Sequence, residues 1–228
     1  MIFCIIVILN DICDMLAIIT GDIIASRKLT NQGKWLLPLK ALLAKWGDSP
    51  KDWKLDRGDF FQLEIKNIED ALKRALEIKS LIKTVEPQDK HKKISPIDVR
   101  LAIGIGKKTY SGENIAESNG TAFINSGEKF DTLKKDNITL GIKTPWADFD
   151  DEINLYLKLA GVFMNKWSVS SAELVHIVLQ NPSITQAEIG EQLGIKQNSV
   201  SGRWNRANIN EILEVEKMFR KKIRDKVK

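Results

Sequence analysis

Two carboxylates invite attention first. Asp22 and Asp59 each follow a glycine, in Gly21-Asp22 and Gly58-Asp59. Each Gly-Asp step stands at the edge of an apolar stretch. Leu16–Ile19 is a short continuous apolar run, which reads as a buried strand that Gly21-Asp22 ends. Leu55 to Ile65, LDRGDFFQLEI, reads as a hairpin with Gly58-Asp59 at its tip. If the strands are neighbours, Asp22 and Asp59 can share one divalent cation. Mg²⁺ is commonly held by one or two carboxylates together with substrate phosphates, so a pair suffices. A third strand, Asp98 to Gly106 (DVRLAIGIG), completes the set.

The elements that must position these residues follow from periodicity. Trp35, Leu36, Leu39, Leu42, Leu43 and Trp46 recur at helical spacing over Lys34–Trp46, with Pro38 in the first turn. Ile68 to Val85 is helical. Asn119 to Leu133 is another candidate, and Ile138–Ile142 a last strand. The coarse order is strand, helix, hairpin, helix, strand, helix, strand.

The ordered motifs GDIIASR, RGDFFQ and VRLAIGIG resemble the palm of the nucleotidyl cyclase superfamily, which includes class III cyclases and GGDEF domains. The chain is more similar still to SatD-like proteins, in which such a palm is joined to a helix-turn-helix. The resemblance covers roughly residues 16 to 145. It implies an α+β fold: a ferredoxin-like, cyclase-type palm followed by an all-α helix-turn-helix domain. It also implies Mg²⁺ or Mn²⁺ at Asp22 and Asp59, with a nucleoside triphosphate held by the Ile23 and Ile24 amides, Ser26, Arg27 and Gly58. Gly120, Ile124 and Asn125 match a further cyclase segment, where Asn125 and the residue at 129 would orient the ribose and stabilise the phosphoryl transition state. The family carries arginine there, and this chain has Lys129. Lysine lacks the planar fork that grips phosphate bidentately, so efficient turnover is not expected.

From residue 147 the character changes. Phe149, Ile153, Leu155, Tyr156, Leu157, Leu159, Ala160, Phe163 and Met164 form a long connector helix whose acids, Asp148, Asp150, Asp151 and Glu152, crowd the first turn and suit the helix dipole. Thr185 and Glu188 form a capping-box pattern, Gly194 breaks that helix, and Gln197 to Arg206 restarts it. Helix, glycine-containing turn, helix is the helix-turn-helix plan. Val200 and Trp204 should point inward. Gln197, Asn198, Ser199 and Ser201 should meet base edges of double-stranded DNA, with Arg203 reaching a base or phosphate and Lys196 and Arg206 the phosphates. A helical hairpin that binds no DNA is the plainer reading of the same pattern. Ser183–Lys228 carries ten Lys and Arg against six Asp and Glu, and ends in a basic amphipathic tail.

Composition bounds the rest. The chain has 228 residues, 43% hydrophobic and 29% charged, with a net charge of +5. That is the make-up of a soluble globular protein of one or two domains. Both cysteines, Cys4 and Cys13, precede the palm. This leaves its body without a disulfide framework and suits a reducing cytoplasm. The expected division is 1–14 as an apolar extension, 15–146 as the palm, and 147–228 as connector helix plus helix-turn-helix. The extension has three readings: sequence upstream of a true start at Met15, an added edge strand, or a membrane-associating tail. Met1–Leu9 is shorter than the roughly 20 residues of a spanning helix, so stable membrane insertion is not expected. His91 reads as a solvated loop residue and His176 as a packed one.

Three functions follow. The preferred one is a cytoplasmic DNA-binding regulator with a cyclase-like sensing or scaffolding domain. The second is a Mg²⁺-dependent cyclase or nucleotidyltransferase using Asp22 and Asp59. The third keeps nucleotide binding without turnover, as the signal that biases DNA binding. A homodimer is expected, because such DNA readers commonly use two half-sites and cyclase palms commonly pair.

Overall fold

The computed structural model describes residues 15–56, 58–89 and 91–227. The readings of residues 1–14, with Cys4 and Cys13, therefore lie outside the described residues.

β1 (Met15–Ile24) is the central strand, because its apolar run is buried from both faces. It is followed by α1 (Gly33–Leu43), β2 (Trp53–Leu55), β3 (Phe60–Ile65), α2 (Ala71–Lys83), β4 (Asp98–Lys107), α3 (Thr121–Lys135) and β5 (Leu140–Lys143). The five strands form one mixed sheet in the order β2-β3-β1-β4-β5. β1 runs antiparallel to both neighbours, and β5 runs parallel to β4. The fold is therefore α+β.

Two corrections concern local structure. β1 does not end at Gly21-Asp22 but continues to Ile24. The Phe61 ring lies over Gly21, so close that a Cβ there would meet it at 2.2 Å, and the glycine accommodates a packed ring rather than a turn. α1 begins at Gly33 and stops at Leu43, so Pro38 stands past the first turn. Trp46, beyond the helix, instead packs under the Arg74 guanidinium, 4.7 Å from the ring centre.

Alternation along β1 divides the core, since successive side chains leave a strand on opposite faces. Ala17, Ile19 and Ile23 join the main cluster with Leu39 and Leu42 of α1 and Leu72 and Leu76 of α2. Leu16 and Ile18 face the other way, toward Ala122 of α3. There α3 lies directly on β4. A Cβ at Gly104 would come within 2.2 Å of the Ser126 amide nitrogen and 2.3 Å of the Ala122 carbonyl oxygen. Backbone on backbone has no side chain to move aside. Gly104→Ala is therefore expected to destabilise by at least about 1–3 kcal/mol, the usual cost of overpacking. A urea unfolding curve measures it, and a wild-type midpoint would contradict the close contact.

The remaining helices are α4 (Ala147–Met164), α5 (Val169–Gln180), α6 (Gln186–Leu193), α7 (Gln197–Ala207) and α8 (Ile209–Lys226). The apolar core runs unbroken across residue 147, from Ile142 and Phe149 through Trp167 and Val175 to Val200 and Phe219. α5 packs on α2, and α8 packs on α4 and on the turn at Ile68–Asp70. No helix among the described residues is long and apolar enough to cross a membrane.

Candidate functional site

The register sets Asp22 between Phe60 of β3 and Arg100 of β4. Asp59 immediately precedes Phe60, and its carbonyl accepts the Ile23 amide at 3.1 Å. The hairpin tip thus closes onto the end of β1 and brings the two carboxylates together. Burial, the Asp59 charge and a hydrogen bond to the Asp59 carboxylate push the Asp22 carboxyl above the ordinary carboxylate range. Arg100, with Nη1 4.0 Å from Asp22 Oδ2, and Lys134 of α3 pull in the opposite direction. Arg100 is buried and also donates from Nε to the Ile138 carbonyl at 3.3 Å.

The turn after β1 is built around Asp59. Ala25 takes a left-handed conformation at φ 62°, and Ser26–Lys28 then makes one 3-10 turn. The buried Ser26 hydroxyl donates to Asp59 Oδ2. Gln32 fixes that turn by donating to the Ser26 carbonyl at 2.9 Å and the Leu29 carbonyl at 3.0 Å, while its own oxygen accepts from Trp35 Nε1 at 2.8 Å. Of the groups expected to cradle a triphosphate, the Ile23 amide and the Ser26 hydroxyl are both engaged with Asp59. Arg27 and Gly58 are exposed beside the pair, and Ile24 is half-buried at the last register position of β1.

Asn125 and Lys129 are not at this pair. Asn125 donates from Nδ2 to the Ile105 carbonyl at 2.8 Å. Ile105 is five residues along β4 from Arg100, about 17 Å at the rise of an antiparallel strand. Lys129 lies against Gly141 of β5, where burial lowers its ammonium below the usual lysine range and Asp150 and Asp136 raise it. One chain therefore does not gather the carboxylates, Asn125 and Lys129 into a single centre. Among the described residues no cluster of three or more His, Cys, Asp or Glu is placed to hold a metal. The candidate is a two-carboxylate site, with Arg100 and Lys134 at its margin.

The second candidate is α7. Thr185 and Glu188 make the capping box that opens α6, the Thr185 Oγ1 accepting from the Glu188 amide at 3.2 Å. Gly194 then turns the chain at φ 64°, a left-handed conformation that glycine adopts without strain. Three residues separate α6 from α7. Val200 is fully buried, whereas Lys196, Gln197, Asn198 and Ser199 are exposed. Trp204 is only partly buried, donating from Nε1 to Asn210 Oδ1 at 2.9 Å. Ser201 is half-buried. Arg203 pairs with Glu173 of α5 at 3.3 Å, so its charge is already engaged, and Arg206 is exposed. The far end of α7 is tied down by Trp167, whose buried Nε1 donates to the Ala207 carbonyl at 2.9 Å.

The basic tail does not stand free. Arg220 pairs with Asp70 at 2.8 Å, Lys222 with Glu152 at 2.6 Å and Arg224 with Glu69 at 2.7 Å, and Lys226 pairs with Asp148. These contacts dock α8 on the sheet domain and α4. They also give Asp148 and Glu152 a role beyond the helix dipole. Asp150 instead pins the segment before α4, accepting from the Thr144 amide at 2.9 Å and the Thr144 hydroxyl at 2.8 Å.

His176 is packed between α5 and α2. The Ser80 hydroxyl donates to the Glu77 carbonyl at 3.0 Å, which leaves its oxygen to accept from His176 Nδ1 at 3.1 Å. Burial holds the imidazole below its ordinary pKa. Sequence reasoning missed Arg100. Its signal was a lone cation inside the apolar run Val99–Ile103, but only the register shows that it faces Asp22.

No protein-family model matches the chain, and no curated protein sequence matches it.

Proposed function

We propose that the chain is a cytoplasmic DNA-binding regulator that presents α7 to the major groove of double-stranded DNA. The observation that carries this reading is the first turn of α7: Lys196 to Ser199 are exposed while Val200, next in sequence, is fully buried. A helix held from beneath by Val200, at its end by Trp167 and at its side by Glu173 offers its leading turn to a partner. Gln and Asn suit bidentate contact with adenine, and a lysine beside them suits a phosphate. The capping box, the Gly194 turn and the second helix support the helix-turn-helix reading.

The element order and the position of β1 between β3 and β4 support a cyclase-type, ferredoxin-like palm and the resemblance to SatD-like proteins. Its carboxylate pair is proposed as a Mg²⁺ or Mn²⁺ site. Asp22, raised by burial and by the Asp59 charge, is relieved by a cation between the two carboxylates. Asp22 and Asp59 would hold the metal, and the metal would supply charge neutralisation for nucleotide phosphates. Because the Ile23 amide and the Ser26 hydroxyl are spent on Asp59, and Asn125 and Lys129 lie elsewhere, the site is proposed to sense rather than to turn over.

Asn198→Ala should relax sequence preference by about 1–3 kcal/mol on a selected duplex and leave random duplexes unaffected. Lys196→Ala should weaken all duplexes alike and reduce the salt slope by about one. Equilibrium binding to selected and random DNA separates them. Equal losses in both variants on both duplexes would remove α7 as the reading element.

A further inference from the structure

The outward face of α4 points to a binding surface for a second copy of this chain. We propose that two α4 helices pair antiparallel across a two-fold axis, independently of whether α7 binds DNA. Past the acids of its first turn, α4 carries apolar side chains on two opposite faces. One face, with Phe149, Ile153, Leu157, Ala160 and Met164, is buried in the fold. The opposite face carries Leu155, Leu159 and Val162, exposed at 53%, 59% and 61%. The steps of four and three residues between them are those of a seam between two paired helices. The other large exposed apolar side chains among the described residues, Leu37, Ile94, Tyr110, Ile124 and Met218, lie outside α4.

Charge chooses the partner and the direction. Asp151 and Lys166 are exposed at the two ends of the stripe, and neither enters an ion pair among the described residues. An axis passing between residues 158 and 159 sets Leu155 against Val162 of the second copy and Asp151 against its Lys166, twice over. The exposed Lys158 of each copy lies along the other's Leu159 and must carry its ammonium out to solvent at the edge of the seam. A parallel pair would set Asp151 on Asp151 and Lys166 on Lys166, and like charges in register repel. Antiparallel pairing also opposes the two helix dipoles. Beside the stripe runs a groove of about 330 Å³ between α4 and the Asn137–Leu140 stretch, bordered by Val162 and Gly161, which can receive a leucine from the other copy.

Sedimentation velocity of the full chain over a concentration series tests the pairing. The wild type should pass from monomer to dimer. Leu159→Glu, at an exposed position, should keep the melting temperature of the wild type at concentrations where that is monomeric, and raise the dimer dissociation constant at least about tenfold. Asp151→Lys should weaken the dimer, and adding Lys166→Asp should restore it. A wild type that stays monomeric throughout would overturn the proposal. So would a dimer indifferent to Leu159→Glu. Loss in Leu159→Glu with no response to either charge change would overturn the antiparallel register.

Discussion

Asp98→Ala is expected to lower the unfolding free energy by about 3–5 kcal/mol, the cost of stripping one partner from a buried ion pair. Asp98 stands at the start of β4 and serves two buried lysines of α2. Lys79 has no exposed side-chain surface, and its Nζ lies 2.8 Å from Asp98 Oδ1 and 3.2 Å from the Thr139 hydroxyl. Lys83 reaches Asp98 Oδ2 at 3.5 Å and donates to the Asn165 carbonyl at 3.0 Å. Burial drives the Lys79 ammonium below the ordinary lysine range, and the Asp98 charge holds it up. Alanine leaves two cations without a counter-charge and also removes the acceptor of the Val99 amide. The same cluster ties β4 and α2 to the turn that follows α4, so the loss should loosen the helical segment from the sheet. Urea unfolding followed by tryptophan fluorescence measures it. A loss under about 1 kcal/mol, the scale of an exposed pair, would show that Asp98 is not needed to hold a charged Lys79.

The second large effect belongs to the carboxylate pair. Excess Mn²⁺ at about a hundred times its dissociation constant should stabilise the wild type by about 2.7 kcal/mol. Asp59→Asn should abolish that gain. The same substitution should raise stability without metal at neutral pH, because it removes the charge that opposes Asp22 while an amide oxygen can still accept from Ser26. Opposite signs in the two conditions separate a cation site from simple damage. The pH dependence follows from the raised Asp22 carboxyl. The folded chain binds that proton more tightly than the unfolded chain, whose value is 3.8. Its stabilising contribution is complete below 3.8 and is lost as pH rises through the higher folded value. Asp59→Asn should flatten this decline. Thermal melts across pH, with and without Mn²⁺, give both results; an Asp59→Asn variant that still gains stability with Mn²⁺ would rule the pair out as its site.

Much of the sheet was legible because apolar runs and helical stripes repeat along the chain. Leu16–Ile19, Val99–Ile105 and the Phe149–Met164 stripe all sit in the elements their spacing predicts. The pairing of Asp22 with the Gly58-Asp59 tip needed only that two strands be neighbours. What could not be read was the use of each hydrogen-bonding group. Ser26 and the Ile23 amide look available in sequence, and Asp59 occupies both. Lys79 and Lys83 follow the polar positions of an amphipathic pattern, yet both are buried, because α5 and the Asn165 turn cover that side of α2. The C-terminal excess of basic residues reads as a basic amphipathic tail. Four of its cations are instead matched one to one by Glu69, Asp70, Asp148 and Glu152, residues far away in sequence.

That neutralisation sharpens the test of the DNA reading, since Arg220, Lys222, Arg224 and Lys226 cannot supply the affinity without undocking α8. Binding of the full chain to random-sequence duplex across a salt series is the direct measurement. Lys196 and Arg206, and Arg203 on release from Glu173, predict a log–log salt slope of about −2 to −3 at roughly −0.9 per phosphate contact. Lys196→Ala with Arg206→Ala should bring it to about −1 or less. No salt-dependent binding by the wild type, or an unchanged slope in the double variant, would contradict α7 as the DNA-facing element.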